Sequence, residues 1–301
     1  MSSNPECSTR SRGGFTLIEL LVALVISGLL TGVIFQVIGG NSRFVSMQSA
    51  REEVQQNSRA AIDLITSDLR SAASGGILEI QPNSVRLNVP RAWGILCSDL
   101  TPTSTNVWAV FPAGTLPPDF SLAAQAPHWG IAVHQTGDPT VSTHAYRFVN
   151  AVGPSTATNP CSTFQPNLSA KHVAIGFNKA TGGFVNSGLT IRSGTPVMIY
   201  EQVRYDVAQP SGSTDFWVRR MSGFSGGTTP NMQPMAGPVP GANALSFTYL
   251  QADGITPAAT AGAVRQVRVK LTTHSRSRTM QTGELRPQQT DSTTVDVFLR
   301  N

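Results

Sequence analysis

Residues 14–38 read GFTLIELLVALVISGLLTGVIFQVI, and this stretch decides how the N-terminal part of the chain folds. Between Phe15 and Ile38 the only charged residue is Glu19. An α-helix rises about 1.5 Å per residue, so a helix over 15–38 would be roughly 36 Å long. That length is enough to cross the hydrocarbon core of a bilayer. The stretch therefore predicts a membrane-spanning helix.

The residues before this stretch have the character of a leader. Residues 1–14 are polar and contain Arg10 and Arg12. A secretory signal peptide would have a shorter apolar segment, followed by a small-residue cleavage site. Here the apolar segment is long, and the small residues Gly13 and Gly14 precede it. Cleavage at these two glycines would leave the apolar segment on the mature chain.

Glu19 is an ionisable side chain inside a predicted membrane segment. Such a side chain is expensive there, so its presence indicates a function by default. Phe15 lies four positions earlier, on the same face of a helix. If cleavage created an amine at Phe15, that amine could neutralise Glu19 of its own chain or of a neighbouring chain. The other interpretation is that Glu19 only reaches the headgroups at the membrane surface.

The hexapeptide from Gly14 to Glu19 resembles the class III signal of type IV prepilins and type II secretion pseudopilins. The resemblance implies that a prepilin peptidase cuts between Gly14 and Phe15 and methylates the amine of Phe15. It also implies that Glu19 pairs with the N-terminus of another subunit and sets the assembly register. The implied partners are this peptidase, other minor and major pilins, the inner-membrane assembly platform and membrane lipid. No cofactor is implied.

The helical period continues beyond the apolar stretch in a more polar sequence. Its apolar residues are Phe44, Met47, Val54, Ala61, Ile62, Ile65, Leu69 and Ala72. Charged residues, including Asp68, are expected mostly on the other face, and Gly75-Gly76 is a stop signal. We expect one helix from about Phe15 to Ala73, with Gly39-Gly40 as a candidate bend, whose segment 39–75 packs on a head.

After Gly76 the apolar period changes to two, which is typical of strands with one solvated face. The alternating runs are 85–89, 197–205, 216–218, 245–249, 267–271 and 295–299. We predict an α+β fold in which the long helix packs on an antiparallel sheet within a head of residues 76–301. Residues 98–188 are less regular and are interpreted as an insertion in this head with three or four short strands. Residues 223–242, rich in Gly, Pro and Met, are predicted to form a loop.

The chain has three cysteines, Cys7, Cys97 and Cys161, an unusual number for an exported protein. Loss of Cys7 with a leader would leave one pair. If the head lies in the periplasm, a Cys97–Cys161 disulfide is expected. The alternative is two buried free thiols.

Composition and motifs argue against several classes of protein. With 40% hydrophobic and 13% charged residues the chain is too apolar for general disorder. The net charge of +5 comes from scattered residues, which favours a solvated basic surface over a nucleic-acid patch. No H-E-x-x-H or CxxC sequence is present, so the sequence has no strong zinc signature. Residues 223–227 fit the letters G-x-S-x-G, but Pro230 follows closely where that motif needs a helix. We therefore predict a protein that is not an enzyme.

The late strands resemble those of W-type minor pilins. The segments are 199–206, 216–220, 245–250, 264–271 and 298–301. Minor pseudopilins of the J type have similar elements but are usually shorter. The resemblance implies a minor pilin that primes or caps a type IV pilus. It would be anchored in the bacterial inner membrane with its head in the periplasm, and later lie in the filament at the cell surface. The alternatives are a type II secretion pseudopilin, a pilus-tip adhesin or DNA-binding module, and a membrane-anchored enzyme.

Overall fold

The longest element is helix α1 (Leu17–Ser71). The structure is a computed structural model that describes residues 16–73, 75–116, 129–135, 146–149, 153–155, 157–164, 172–179, 183–185, 188–222, 231–276, 280–281, 284–285 and 288–299. At the start of α1 the backbone N–H of Glu19 donates to Thr16 Oγ1 over 3.4 Å, which caps a free helix end. The helix continues through Gly39 and Gly40. The predicted long helix is confirmed, although Phe15 lies outside the described residues.

The two halves of α1 have different surroundings. Large side chains from Leu17 to Val45 are exposed, and none of the apolar span near the N-terminus is buried. Burial begins at Ala50 and continues along one stripe of the helix. Its members are Ala50, Val54, Ser58, Ala61, Ile62, Ile65, Thr66, Asp68 and Leu69. The first half is therefore free of the head, while the second half packs into it.

Fifteen strands follow within the described residues. They are β1 (Ile77–Gln81), β2 (Ser84–Leu96), β3 (Asn106–Pro112), β4 (Trp129–His134), β5 (Tyr146–Val149), β6 (Gly153–Pro154), β7 (His172–Asn178), β8 (Pro196–Ala208), β9 (Phe216–Ser222), β10 (Asn231–Val239), β11 (Leu245–Leu250), β12 (Gln266–His274), β13 (Met280–Gln281), β14 (Glu284–Leu285) and β15 (Thr290–Phe298). A short helix, α2 (Cys161–Phe164), lies between β6 and β7.

The larger sheet is built around the antiparallel ladder of β2 and β8. Its register runs from Val85 opposite Tyr205 to Ile95 opposite Pro196. At one end of this ladder β1 lies beside β2, while β9 and β10 follow β8. At the other end β3, β7 and β6 follow β2, while β4 and β5 follow β8. Two groups of strands thus share one central pair.

A smaller antiparallel sheet has the order β11-β12-β15, and β13 and β14 form a separate hairpin. In β12 the buried residues Val267, Val269 and Leu271 alternate with the exposed Arg268 and Lys270. The predicted solvated face is therefore confirmed for this sheet. The expectation of a single sheet is wrong, because β11, β12 and β15 pair with one another and not with β2 or β8.

Two apolar cores lie on the same face of the larger sheet. Alternate residues of β8 point to one face. Val203 and Tyr205 belong to the first core, which also contains the stripe of α1 and side chains of the smaller sheet. Val197 and Ile199 belong to the second core, which includes no described residue of α1. Glu201 lies between them in the sequence of β8, at the seam between the two cores.

Residues 98–188, which we interpreted from the sequence as an insertion, contribute strands to the larger sheet. Within 98–188 the structure describes five strands, β3 to β7, where three or four were expected. Phe148 of β5 packs edge-on to Tyr200, with ring centroids 5.0 Å apart. The ring of Tyr200 lies over Gly130, where a Cβ atom would come within 2.2 Å of it. The region therefore folds onto the long strands as an extension of the head.

The predicted loop over 223–242 is wrong for residues 231–239, which form β10, and its residues 223–230 lie outside the described part of the chain. Residues Met232 and Gln233 pair with Met221 and Arg220 of β9, and the ladder shifts register after Pro234. A proline fits at a bulge or on an edge strand. At Gly237 a Cβ atom would lie 2.8 Å from Trp217, so glycine allows the indole to pack there.

Candidate functional site

The exposed half of α1 is the main candidate for a functional surface. Apolar side chains are exposed around the whole circumference, with Leu24 67% and Phe35 71% exposed. The segment is long and apolar enough to cross a membrane. Water is a poor environment for so large a continuous apolar surface. This half of the helix therefore needs lipid or other apolar helices around it.

Polar groups inside this segment are satisfied within the helix. Ser27 Oγ donates to the carbonyl of Ala23 over 2.6 Å, and Thr31 Oγ1 donates to the carbonyl of Ser27 over 2.7 Å. Such bonds to the preceding turn are the usual solution in an apolar environment. Gly28 and Gly32 have open space where a Cβ atom would lie. Both ordinary membrane-helix usage and close packing on another helix fit this spacing.

Glu19 lies in the first turn of α1 and is exposed. A carboxylate in that position is favoured by the positive end of the helix dipole. Gly14 and Phe15, the residues of the expected cleavage site, lie outside the described part of the chain. Glu19 thus lies at the start of the described helix, four residues after Phe15 in the sequence.

Cys97 and Cys161 are joined in the structure by a disulfide, with a Cα–Cα distance of 4.9 Å. Cys97 directly follows β2, and Cys161 opens α2. Both are buried, in contact with Val110, and Trp108 packs against them. The bond ties the interpreted insertion to the end of β2.

A buried group of charged side chains joins the end of α1 to the larger sheet, and the sequence did not predict it. Tyr205 Oη donates to Asp68 Oδ2. Arg220 Nη2 and Arg91 Nη2 contact Glu201 Oε2 at 2.7 and 2.6 Å. The same two guanidinium groups reach Asp68, at 3.6 Å for Arg220 Nε and 3.8 Å for Arg91 Nη1. We call these five residues the seam network, because Glu201 lies between the two cores.

Electrostatics favour the ionised forms of Glu201 and Arg220 and the neutral form of Tyr205. Burial opposes ionisation of Glu201, but the hydrogen bonds and positive charges of Arg220 and Arg91 outweigh it and lower its pKa. Burial and the neighbouring Asp68 carboxylate raise the pKa of Tyr205, so its hydroxyl stays a donor. Burial would lower the pKa of Arg220, whereas the hydrogen bond and charge of Glu201 raise it. The network pairs the guanidinium groups of Arg91 and Arg220 with the carboxyl groups of Asp68 and Glu201.

The sites considered for catalysis or metal binding are not assembled in the part of the chain that is described. No group of three or more His, Cys, Asp or Glu residues suited to a metal is found there. Of the five histidines of the sequence, His128 and His144 lie outside it, as do the G-x-S-x-G residues 223–227. His134, His172 and His274 lie on three different strands.

The part of the larger sheet formed by β2, β3 and β7 has a shallow apolar groove. The groove lies on the face opposite the two cores. Trp93 and Ile95 are 48% and 49% exposed there. The groove has a volume of about 330 Å³, and the described residues that line it are Trp93, Gly94, Ile95, Val110, Pro112 and His172. This lining is mainly apolar and includes no arginine or lysine. It does not favour the nucleic-acid hypothesis, which needs cations for phosphate groups.

Comparison with known proteins gives one match, at the N-terminus. Residues 9–35 match the family model described as the prokaryotic N-terminal methylation motif. Neither the search of curated proteins nor the search of solved structures gave a match. The likeness of the late strands to W-type minor pilins is therefore unsupported. The methylation motif, followed by an exposed apolar helix that leads into an α+β head, indicates a type IV pilin or pseudopilin with a membrane anchor.

Proposed function

We propose that the protein is a minor pilin that is incorporated into a type IV pilus or primes its assembly, and that it has no catalytic role. One observation carries this proposal: the helix that follows the methylation motif is exposed and apolar on all sides over its first half. A segment of this kind serves as an anchor in the membrane and as a core element in a filament.

Assembly would exchange one apolar environment for another. In the membrane, the first half of α1 contacts lipid, and in the filament it contacts the corresponding helices of other pilins. Because both surroundings are apolar, the segment need not pass through water. Cleavage between Gly14 and Phe15 would supply a methylated amine at Phe15. Glu19 would then pair with the amine of a neighbouring subunit, which fixes where the new helix stops.

The head would lie in the periplasm until assembly. A Cys97–Cys161 disulfide suits that oxidising compartment. The second core extends the larger sheet beyond the part that α1 covers. A single subunit with such a wide head fits at the tip of a filament more easily than many such subunits fit side by side along the filament. The wide head therefore supports a minor rather than a major pilin.

A type II secretion pseudopilin is the alternative, since the same motif serves both systems. Deletion of the gene separates the two. We expect loss of pili or twitching with secretion intact. Loss of secretion with normal pili would favour the pseudopilin.

Replacing Glu19 tests the assembly step. We expect Glu19→Ala to be inserted and cleaved normally but to reduce pilus assembly strongly, because the positive amine of a neighbour loses its partner. Immunoblotting for the mature chain and electron microscopy of surface filaments measure the two effects. Glu52→Ala is the matched control, since Glu52 is an exposed acid on the same helix beyond the apolar segment. Normal piliation by Glu19→Ala would contradict the role given to Glu19.

A further inference from the structure

Asp68 is an exception on α1. It is the charged residue among those buried in the described part of this helix, and its side chain is only 6% exposed. It lies under Tyr205, which is fully buried, and between the guanidinium groups of Arg91 and Arg220. The charged end of α1 therefore meets the larger sheet at one defined point.

The apolar stripe alone defines the position of α1 along the sheets weakly. A slide of one turn, which is four residues or about 6 Å, keeps the same helix face toward the head. Ile65 would move to the site of Leu69, and Ile62 to the site of Thr66. Because hydrophobic contact is non-directional, these two exchanges discriminate little between the two positions, although Ala61 at the site of Ile65 would leave a cavity.

Asp68 discriminates strongly between these positions. In that slide its carboxylate would move to the site of Ala72, which is buried among apolar residues. Leu64 would then face Tyr205 and the two guanidinium groups. The buried hydroxyl of Tyr205 would lose its acceptor, and the carboxylate would lose its partners, both of which are unfavourable. A slide in the opposite direction would place Ala72 at the network and again leave Tyr205 without an acceptor.

We propose that Asp68 fixes the register of α1 against the head, and that the seam network specifies this position more than it adds stability. Buried polar residues fix register in coiled coils in the same way. The inference goes beyond the proposed function and does not rest on it. As a consequence, the head has a single position along the axis of α1 and a single rotation about that axis, relative to the N-terminal half of the helix.

Engineered cysteine pairs can measure the register directly in the full chain in detergent micelles. Ser58 Oγ and Thr293 Oγ1 are 2.8 Å apart, so Ser58→Cys with Thr293→Cys should cross-link in the native position. Val54→Cys with Thr293→Cys should cross-link only after a slide that brings residue 54 to the site of residue 58. Ile62→Cys with Thr293→Cys reports the opposite slide.

The yields are compared in three backgrounds: wild type, Asp68→Leu, and the matched control Asp63→Leu, which changes an exposed acid of the same helix. We expect only the native cross-link in wild type and in Asp63→Leu. In Asp68→Leu the native yield should fall several-fold, and one of the shifted pairs should cross-link. A folded Asp68→Leu chain with only the native cross-link would overturn the proposal.

A second variant covers the case in which Asp68→Leu does not fold by circular dichroism. Asp68→Ala removes the carboxylate without adding bulk, and the same three pairs are then read in that background. Appearance of a shifted cross-link supports the proposal, and an unchanged native pattern overturns it. If neither variant folds, Asp68 acts in stability rather than in register, and the proposal is also overturned.

Discussion

Glu201 is an acid held inside the head by two guanidinium groups that share one of its oxygens. Its pKa is lowered in the folded protein because Arg220 and Arg91 outweigh the effect of burial. Because this pKa is lowered, ionised Glu201 stabilises the folded protein. The stabilisation is fully present at pH values above the pKa of a glutamate in the unfolded chain, which is about 4.3. This contribution is lost as the pH falls through the folded-state pKa.

Glu201→Gln tests this charge balance. At pH 7 we expect the free energy of unfolding to fall by about 2 kcal/mol, because three hydrogen bonds to a charged group, two from Arg91 and one from Arg220, are weakened. As the pH falls below about 4.3, the ordinary pKa of a glutamate, the variant should lose less stability than wild type, since the titrating group is absent. Urea unfolding of the full chain in detergent, followed by tryptophan fluorescence, measures both effects. Equal pH dependence of the two chains would contradict the assignment.

Glu79→Gln is the matched control for that experiment. Glu79 pairs with Arg86 at 2.8 Å, but both side chains are partly exposed, 40% and 30%. Ion pairs of this kind contribute about 0–1 kcal/mol. The control should therefore change the free energy of unfolding little at pH 7.

Residue spacing predicted some of these roles and missed others. Glu19 is evident from the sequence because it is a lone acid in an apolar run. The expectation that Asp68 lies off the apolar face is wrong. Its position, three residues after Ile65 and one before Leu69, already places it on the buried stripe. Its partners Arg91, Glu201 and Arg220 could not be predicted, because only the pairing of distant strands brings them together.

At the scale of elements, α1 combines two environments in one continuous helix. The helix could be predicted from the sequence because apolar residues recur along one face. The strands β8, β9, β11, β12 and β15 could be predicted because apolar and polar residues alternate along them. β10 was not, because Pro, Gly and Met hide the alternation and the bulges break it.

Packing of the second half of α1 can be tested at Leu69, which is fully buried in the first core. Leu69→Ala should reduce the free energy of unfolding by about 2–5 kcal/mol, since it removes buried methyl groups and leaves a cavity. Leu64→Ala, at a position 40% exposed, is the control and should cost less than about 1 kcal/mol. Urea unfolding in detergent measures both. An equal effect of the two substitutions would contradict the packing described for α1.

The described part of the molecule consists of a helix whose apolar first half is exposed and a head whose two larger cores lie on one face of a shared sheet. The sequence indicated the α+β class and the helix that covers the strands. It did not indicate that β11, β12 and β15 form a separate sheet, because strand partners lie far apart in the chain. Val85, for example, pairs with Tyr205. Local patterns specify which residues form strands, whereas partners so far apart are chosen by tertiary packing.

The central claim is that the apolar helix survives maturation and begins at Phe15. Intact mass and N-terminal sequencing of the chain purified from membranes of piliated cells test it most directly. We predict a chain that starts at Phe15, bears one methyl group on its amine and lacks Cys7. Its mass should also be lower by two hydrogen atoms, because Cys97 and Cys161 are joined. A chain that still starts at Met1, or that starts after Ile38, would contradict the account.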